Sequence, residues 1–209
     1  LVMYPIHAFG SEEQKLKWLS GLGDGTKIGC FGLTEPNFGS NPGGMVTRCK
    51  REGDNWIING NKMWITNGSI ADVAVVWAKD ENDIIRGFLI EKDTEGFTSS
   101  DLHGKFSLRA SITSELSMSD VRVPDSSRLP NIEGLKGPLS CLTQARYGIA
   151  WGMVGASVDC YNTALSYAKE RKQFSKPIAG YQLTQQKIAE MVTRITESQL
   201  LVFRLGRLK

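Results

Sequence analysis

The sequence predicts an α+β multidomain fold, with a central antiparallel β-barrel or sandwich between an N-terminal helix and a C-terminal helical hairpin. Three observations carry this. Short β-prone runs separated by turn residues fill the middle of the chain, from Ile28 to about Val123. A helix-start pattern precedes them at Ser11. After Pro138, apolar residues recur at spacings of three and four. The 209 residues, 41% of them hydrophobic, can bury a substantial core in one or two domains.

The elements follow in order. Ser11-Glu12-Glu13-Gln14 is a capping box, Leu16, Leu19 and Leu22 continue at helical spacing, and Gly21, Gly23 and Gly25 end the helix. Ile28 to Thr34 is apolar and β-prone. Trp56-Ile57-Ile58 and Met63-Trp64-Ile65 flank Asn59-Gly60, which predicts a type I′ hairpin turn. Ala71 to Ala78 and Ile84 to Glu91 form a second strand pair around the polar turn from Lys79 to Asp83. Phe106 to Leu108 and Ser114 to Val123 supply further strands. Pro124, Pro130, Gly134, Gly137 and Pro138 mark a loop. Tyr147, Ala150, Val154, Ser157, Tyr161, Ala164 and Ala168 then line one face of a helix. Gly148, Gly152 and Gly155 on that helix predict close approach of a neighbour. Pro177 breaks the pattern, and Leu183, Ile188, Met191, Ile195, Leu201 and Leu205 line a second helix. Two long helices so close in sequence predict an antiparallel hairpin. The segments therefore divide as 1–27, 28–135 and 136–209.

Composition excludes several classes. The net charge of +3 and the lack of a dense Lys/Arg run argue against nucleic acid. No apolar stretch approaches the roughly 20 residues of a membrane helix. Cys30, Cys49, Cys141 and Cys160 are widely spaced and read as reduced, buried thiols. His7 and His103 lack ligand spacing, so no metal site is expected. Leu1 is not an initiator Met, and Lys209 ends a helical pattern without a cap or a Gly stop. An internal stretch of a longer protein is therefore expected.

Two segments carry the chemistry. Phe31-Gly32-Leu33-Thr34-Glu35-Pro36-Asn37-Phe38-Gly39-Ser40 is a strand that breaks into a loop of small polar residues. Its backbone N–H groups and hydroxyls suit a polar, partly anionic ligand. Trp64-Ile65-Thr66-Asn67-Gly68 places an indole and a hydroxyl two residues apart on a strand, and so on one face. A flat indole beside a hydroxyl can cover an aromatic ring and hydrogen-bond its edge, which fits a flavin. Taken singly, each residue reads as ordinary strand, turn or buried Trp; the set favours the cofactor.

These segments resemble the flavin-binding strands of the acyl-CoA dehydrogenase family. Gly104-Lys105-Phe106-Ser107-Leu108-Arg109-Ala110-Ser111, Ala145 to Gly152, Glu170 to Phe174 and Tyr181-Gln182-Leu183 extend the likeness over nearly the whole chain and lean toward the glutaryl-CoA branch. The resemblance implies the tail of an N-terminal helical domain, a middle β-domain, and the first two helices of a four-helix bundle. It implies FAD held by Phe31, Gly32, Leu33, Thr34, Gly39, Ser40, Trp64, Ile65 and Thr66. Arg171, Phe174 and Gln182 would reach the adenosine and pyrophosphate of FAD on a neighbouring subunit. Ser40, Leu139, Ser140, Thr143 and Arg146 match positions that contact acyl-CoA.

The implied activity is α,β-dehydrogenation of an acyl-CoA thioester. In the glutaryl branch, loss of CO2 follows to give crotonyl-CoA, in lysine and tryptophan breakdown. An electron-transfer flavoprotein as acceptor, a homotetramer and the mitochondrial matrix belong to the same implication. The family's catalytic glutamate sits in a Tyr-Glu-Gly-Thr type motif, which this chain lacks. No catalytic residue is therefore assigned: the base is expected beyond Lys209, and the chain is expected to be inactive alone. Glu35 reads as a loop anchor. Asn41 stands where the family usually has Asp, which puts one loop hydrogen bond in doubt. The alternatives are an acyl-CoA oxidase, another short- or medium-chain dehydrogenase, and a non-catalytic binding or assembly domain.

Overall fold

The computed structural model describes residues 1–209, which fold as two units, Leu1–Leu142 and Thr143–Lys209. In the first unit, α1 (Met3–Phe9) precedes α2 (Glu12–Asp24). Sequence periodicity does not foretell α1, which is seven residues long. The capping box at α2 forms in both directions: Gln14 N donates to Ser11 Oγ at 3.3 Å, and Ser11 N donates to Gln14 Oε1 at 3.0 Å. Gly25 ends the helix at φ +81°. Gln14 also donates to the carbonyls of Ser126 and Arg128, fastening α2 to the segment that follows the last long strand.

Seven strands form one curled sheet: β1 (Gly29–Gly32), β2 (Arg48–Glu52), β3 (Asn55–Thr66), β4 (Val73–Lys79), β5 (Ile85–Glu91), β6 (Phe97–Asp101) and β7 (Thr113–Pro124). The order is β1-β4-β2-β3-β7-β6, with β5 also paired to β4. The sheet is mixed, not wholly antiparallel as predicted, because β1 and β2 both run parallel to β4. The β4–β5 pair forms at its predicted place, with Val73 opposite Glu91 and Lys79 opposite Ile85. Its centre is buried on both faces. Ala74, Val76 and Ala78 enter a cluster with Phe88, Leu116 and Val121; Val73, Val75 and Trp77 enter another with Ile6, Trp18 and Leu129. That double burial explains the unbroken apolar run.

The hairpin predicted at Asn59-Gly60 does not form. β3 runs straight through, and its register against β7 shifts between Ile58 and Gly60. Gly60 serves as a bulge residue at φ +144°, where a Cβ would stand 2.5 Å from Thr47 Oγ1. Asn59 Nδ2 donates to Asp120 Oδ1, and Asn59 Oδ1 accepts from Asp120 N. Positive φ is thus used as the pair's composition indicates, but in a bulge. The real turn is at Gly53, φ +61°, between β2 and β3. β2 and β6 are polar strands that the apolar pattern missed. Phe106 to Leu108, predicted as a strand, is exposed irregular backbone, with Leu108 at φ +49°. All four cysteines are free, but Cys160 is exposed, not buried as predicted.

The helix α3 (Lys136–Glu170) starts in the first unit and continues into the second. There it forms a hairpin with α4 (Gln182–Leu208), through the short strands β8 (Lys172–Gln173) and β9 (Lys176–Pro177). The antiparallel arrangement is fixed by Lys209, which bonds Gln144, and by Gly206, whose missing Cβ leaves room for Tyr147. Of the predicted face of α3, Val154 and Ala168 are buried and Ser157 and Ala164 are exposed. Gly148, Gly152 and Gly155 have nothing within 4 Å of a Cβ position, so the predicted close approach is not made within this chain. No helix is long and apolar enough to cross a membrane.

Candidate functional site

After β1 the chain continues beside β3. Met63 N donates to the Thr34 carbonyl at 2.8 Å, which brings the two predicted segments together. The next residues make a small loop, in which Glu35 and Phe38 exchange backbone hydrogen bonds at 3.2 Å. Gly39 and Ser40 are exposed, and a Cβ at Gly39 would meet only Thr34 Cγ2, at 3.9 Å. That is an open, small-residue cradle. Asn41 closes the loop through its carbonyl, which accepts Gly44 N at 3.0 Å.

On β3 the register shifts a second time, between Lys62 and Ile65. Strict alternation would put Lys62, Trp64 and Thr66 on one face. The irregularity breaks that parity: Lys62 and Ile65 point inward, while Trp64 and Thr66 are both exposed. Trp64 sits at φ +62°, a strained position for a bulky side chain, and stays 59% exposed. Trp64 and Thr66 are thus both solvent-accessible, on the strand whose Met63 amide bonds the Thr34 carbonyl.

Not every predicted residue offers its side chain. The Phe31 ring packs edge-on against Trp77, 6.3 Å between centroids. Leu33 and Ile65 are buried in the core. Gly32 is buried too, and a Cβ there would lie 3.3 Å from Lys62 Cγ. These four can contribute backbone groups alone. Thr34, Gly39, Ser40, Trp64 and Thr66 remain as surface.

Beneath that surface lies an ion pair that sequence reasoning missed on the cation side. Lys62 Nζ donates to Glu35 Oε1 at 2.9 Å and to the Leu33 carbonyl at 3.2 Å. The Glu35 carboxylate also accepts Val46 N at 2.6 Å and Thr47 N at 3.0 Å. The two side chains are 0% and 1% exposed. Burial pushes Lys62 down to about 8, against the pull of Glu35. Burial also acts to raise Glu35, but the Lys62 charge and the donors around the carboxylate outweigh it and hold Glu35 below its ordinary value. Glu35 is thus a loop anchor. The signal for Lys62 was a lone charge two residues before the Trp, masked by the assumption of unbroken alternation.

In the second unit, Arg171 and Phe174 lie in the α3–α4 link and Gln182 opens α4. All three are exposed, and Phe174, at φ +49°, is 92% so. Leu139, Thr143 and Arg146 lie at i, i+4 and i+7 of α3 and so share a face. Ser140 Oγ donates to the Gly137 carbonyl of its own helix at 2.7 Å.

An exposed indole, the Thr34 and Thr66 hydroxyls and an open glycine-serine loop are the groups these segments offer, and their chemistry suits the ring, edge and phosphates of a flavin. The family model for the acyl-CoA dehydrogenase middle domain matches residues 30–121, and that for the acyl-CoA dehydrogenase C-terminal domain matches 133–209. A probable acyl-CoA dehydrogenase of Bacillus subtilis is 41% identical over 98% of this chain and 56% of its own length. The human mitochondrial short-chain specific acyl-CoA dehydrogenase is 38% identical, over 100% of this chain and 52% of its own. A glutaryl-CoA dehydrogenase from Mycobacterium smegmatis, solved in complex with FADH2, superposes with a TM-score of 0.95 at 55% identity, covering 100% of this chain and 54% of that one. The chain thus spans about half the length of the curated relatives it matches. With both domain models in order and the fold shared throughout, the chain belongs to the acyl-CoA dehydrogenase family.

Proposed function

We propose that this chain is the flavin- and acyl-CoA-binding part of an FAD-dependent acyl-CoA dehydrogenase whose substrate is glutaryl-CoA, converted with loss of CO2 to crotonyl-CoA. The observation that carries the flavin reading is Trp64, held outward in a strained conformation beside Thr66 and the Thr34–Ser40 segment. The glutaryl reading is supported by the 55% identity to the mycobacterial enzyme. It also draws on the segments around Lys105 and Arg146.

Bound FAD would supply the hydride acceptor for the β-carbon of the thioester. The chain's own residues bind and orient. Trp64 covers a face of the ring and excludes water. Thr34 and Thr66 offer hydroxyls to the ring edge. Gly39 and Ser40 admit the pyrophosphate close to the backbone. Arg171, Phe174 and Gln182 serve the adenosine and pyrophosphate bound to a neighbouring subunit, which makes a homotetramer part of the reading. Leu139, Ser140, Thr143 and Arg146 line the acyl-CoA path, with Arg146 toward the charged CoA portion. Glu35 is not the base: it is 2% exposed and holds three donors. An electron-transfer flavoprotein takes the electrons onward. The human relative is mitochondrial and the Bacillus one bacterial, so the resemblance carries the enzyme class and not the compartment.

The test is a titration of the purified 209-residue chain with FAD, followed by addition of glutaryl-CoA. FAD quenches the fluorescence of Trp64, and glutaryl-CoA causes no turnover. Bleaching of the flavin with release of crotonyl-CoA by the chain alone overturns the expectation that the base lies elsewhere. Absence of any FAD binding overturns the flavin reading. In the full-length parent, CO2 release from glutaryl-CoA separates this substrate from a short-chain acyl-CoA, which the 38% identity to the human enzyme favours as second reading.

A further inference from the structure

We propose that the buried Lys62–Glu35 pair is the strut that sets the Thr34–Ser40 and Trp64–Thr66 segments at flavin-binding separation, making both residues positioning residues for the cofactor. The inference rests on the flavin reading above.

A fully buried ion pair is poor value as a stabiliser, since apolar residues of the same volume often serve equally well or better. Here the location explains it. Each partner belongs to one flavin-facing segment or its hinge. Lys62 stands two residues before Trp64, at the start of the register shift that turns the indole outward. Its two acceptors, the Leu33 carbonyl and Glu35, flank Thr34. Glu35 opens the loop that carries Gly39 and Ser40. The amides it accepts, Val46 and Thr47, lie just beyond the far end of that loop. One carboxylate therefore pins both ends of the loop, and one ammonium ties that carboxylate to β3. Gly32 is the clearance for the lysine stem: a Cβ there would stand 3.3 Å from Lys62 Cγ. The pair is sealed on all sides, so water cannot substitute for either partner.

The experiment compares the wild-type chain with E35Q/K62M, which removes both charges at nearly constant shape, and with E35D, which keeps the charge but shortens the reach. Far-UV circular dichroism and a cooperative melt establish folding. FAD affinity is read from Trp fluorescence quenching, and ring geometry from the visible circular dichroism of the bound flavin. E35Q/K62M is expected to fold, to weaken FAD binding by about tenfold or more, and to alter the flavin spectrum; E35D lies between. A double variant with wild-type affinity and spectrum overturns the proposal. If the double variant does not fold, E35D decides, and wild-type affinity there overturns it. If wild type itself binds no FAD, the flavin reading fails. The strut is then judged by amide exchange at Val46 and Thr47 in the free protein: faster exchange in E35D supports it, and unchanged exchange overturns it.

Discussion

Trp64 combines two costs that a merely structural residue would avoid. A bulky side chain at φ +62° stores strain of about 1–3 kcal/mol, and a 59%-exposed indole forgoes burial. Glycine at this position relieves the backbone and loses little packing. W64G is therefore expected to melt at or above the wild-type temperature while its FAD affinity falls; a clear drop in melting temperature would show the indole to be a packing residue. Lys62 behaves oppositely. K62M leaves Glu35 buried without its cation and is expected to cost about 3–5 kcal/mol in urea denaturation. E35Q/K62M is expected to recover most of that. The exposure of Trp64 and Thr66 agrees with a ligand-facing segment. Lys62 was not legible, because strict alternation groups it with those two residues, and only the register shift sends it inward.

At the scale of elements, the β4–β5 hairpin shows how a polar turn can be as determinate as a core. Asp80 is 5% exposed and accepts from Asn82 N and Ile84 N, both at 2.9 Å, and from Arg86 Nε at 2.9 Å. Arg86 in turn bonds Glu133. Burial acts to raise Asp80, but the Ile84 amide, the Arg86 and Asn82 hydrogen bonds and the Arg86 charge outweigh it and hold its carboxyl below the ordinary aspartate value. A carboxyl lowered on folding binds fewer protons in the native state, so its stabilisation is present above about pH 4 and is lost as pH falls through the depressed folded value. D80N is accordingly expected to cost about 2 kcal/mol at neutral pH. Its stability is expected to fall less steeply than wild type on acidification; parallel acid limbs would remove Asp80 from the balance. The turn from Lys79 to Asp83 was legible because apolar runs bracket it. Asn59-Gly60 misled because its composition reports positive φ without reporting what the φ is for. At Gly60 it admits Thr47, and at Gly53 the same freedom makes the turn. β2 and β6 went unseen since Arg48, Lys50 and Arg51, or Thr98, Ser99 and Ser100, present no apolar alternation, and neighbouring strands alone define them.

Over the whole molecule, burial is distributed unevenly between the two units. The first holds both core clusters, including Trp56, Trp77 and Trp18. In the second, Val154 and Ala168 are the buried apolar residues, and α4 has none. Ile149, Met153, Leu200, Leu201, Phe203 and Leu208 stay exposed on the hairpin. Helical periodicity made the hairpin legible, because the 3.6-residue stripe is set by the chain itself. The extent of its burial was not, because that depends on what covers the stripe. With little apolar area removed from water, the hairpin has small local stability, whereas β4 unfolds only with the sheet. Urea denaturation is therefore expected in two steps. Ellipticity at the helical minimum falls first, as α3 and α4 melt, while emission from Trp56 and Trp77 keeps its buried position. The fluorescence shift follows at higher urea, and amides of β4 exchange more slowly than those of α4. Coincident transitions by both probes would mean instead that the two units unfold as one cooperative body.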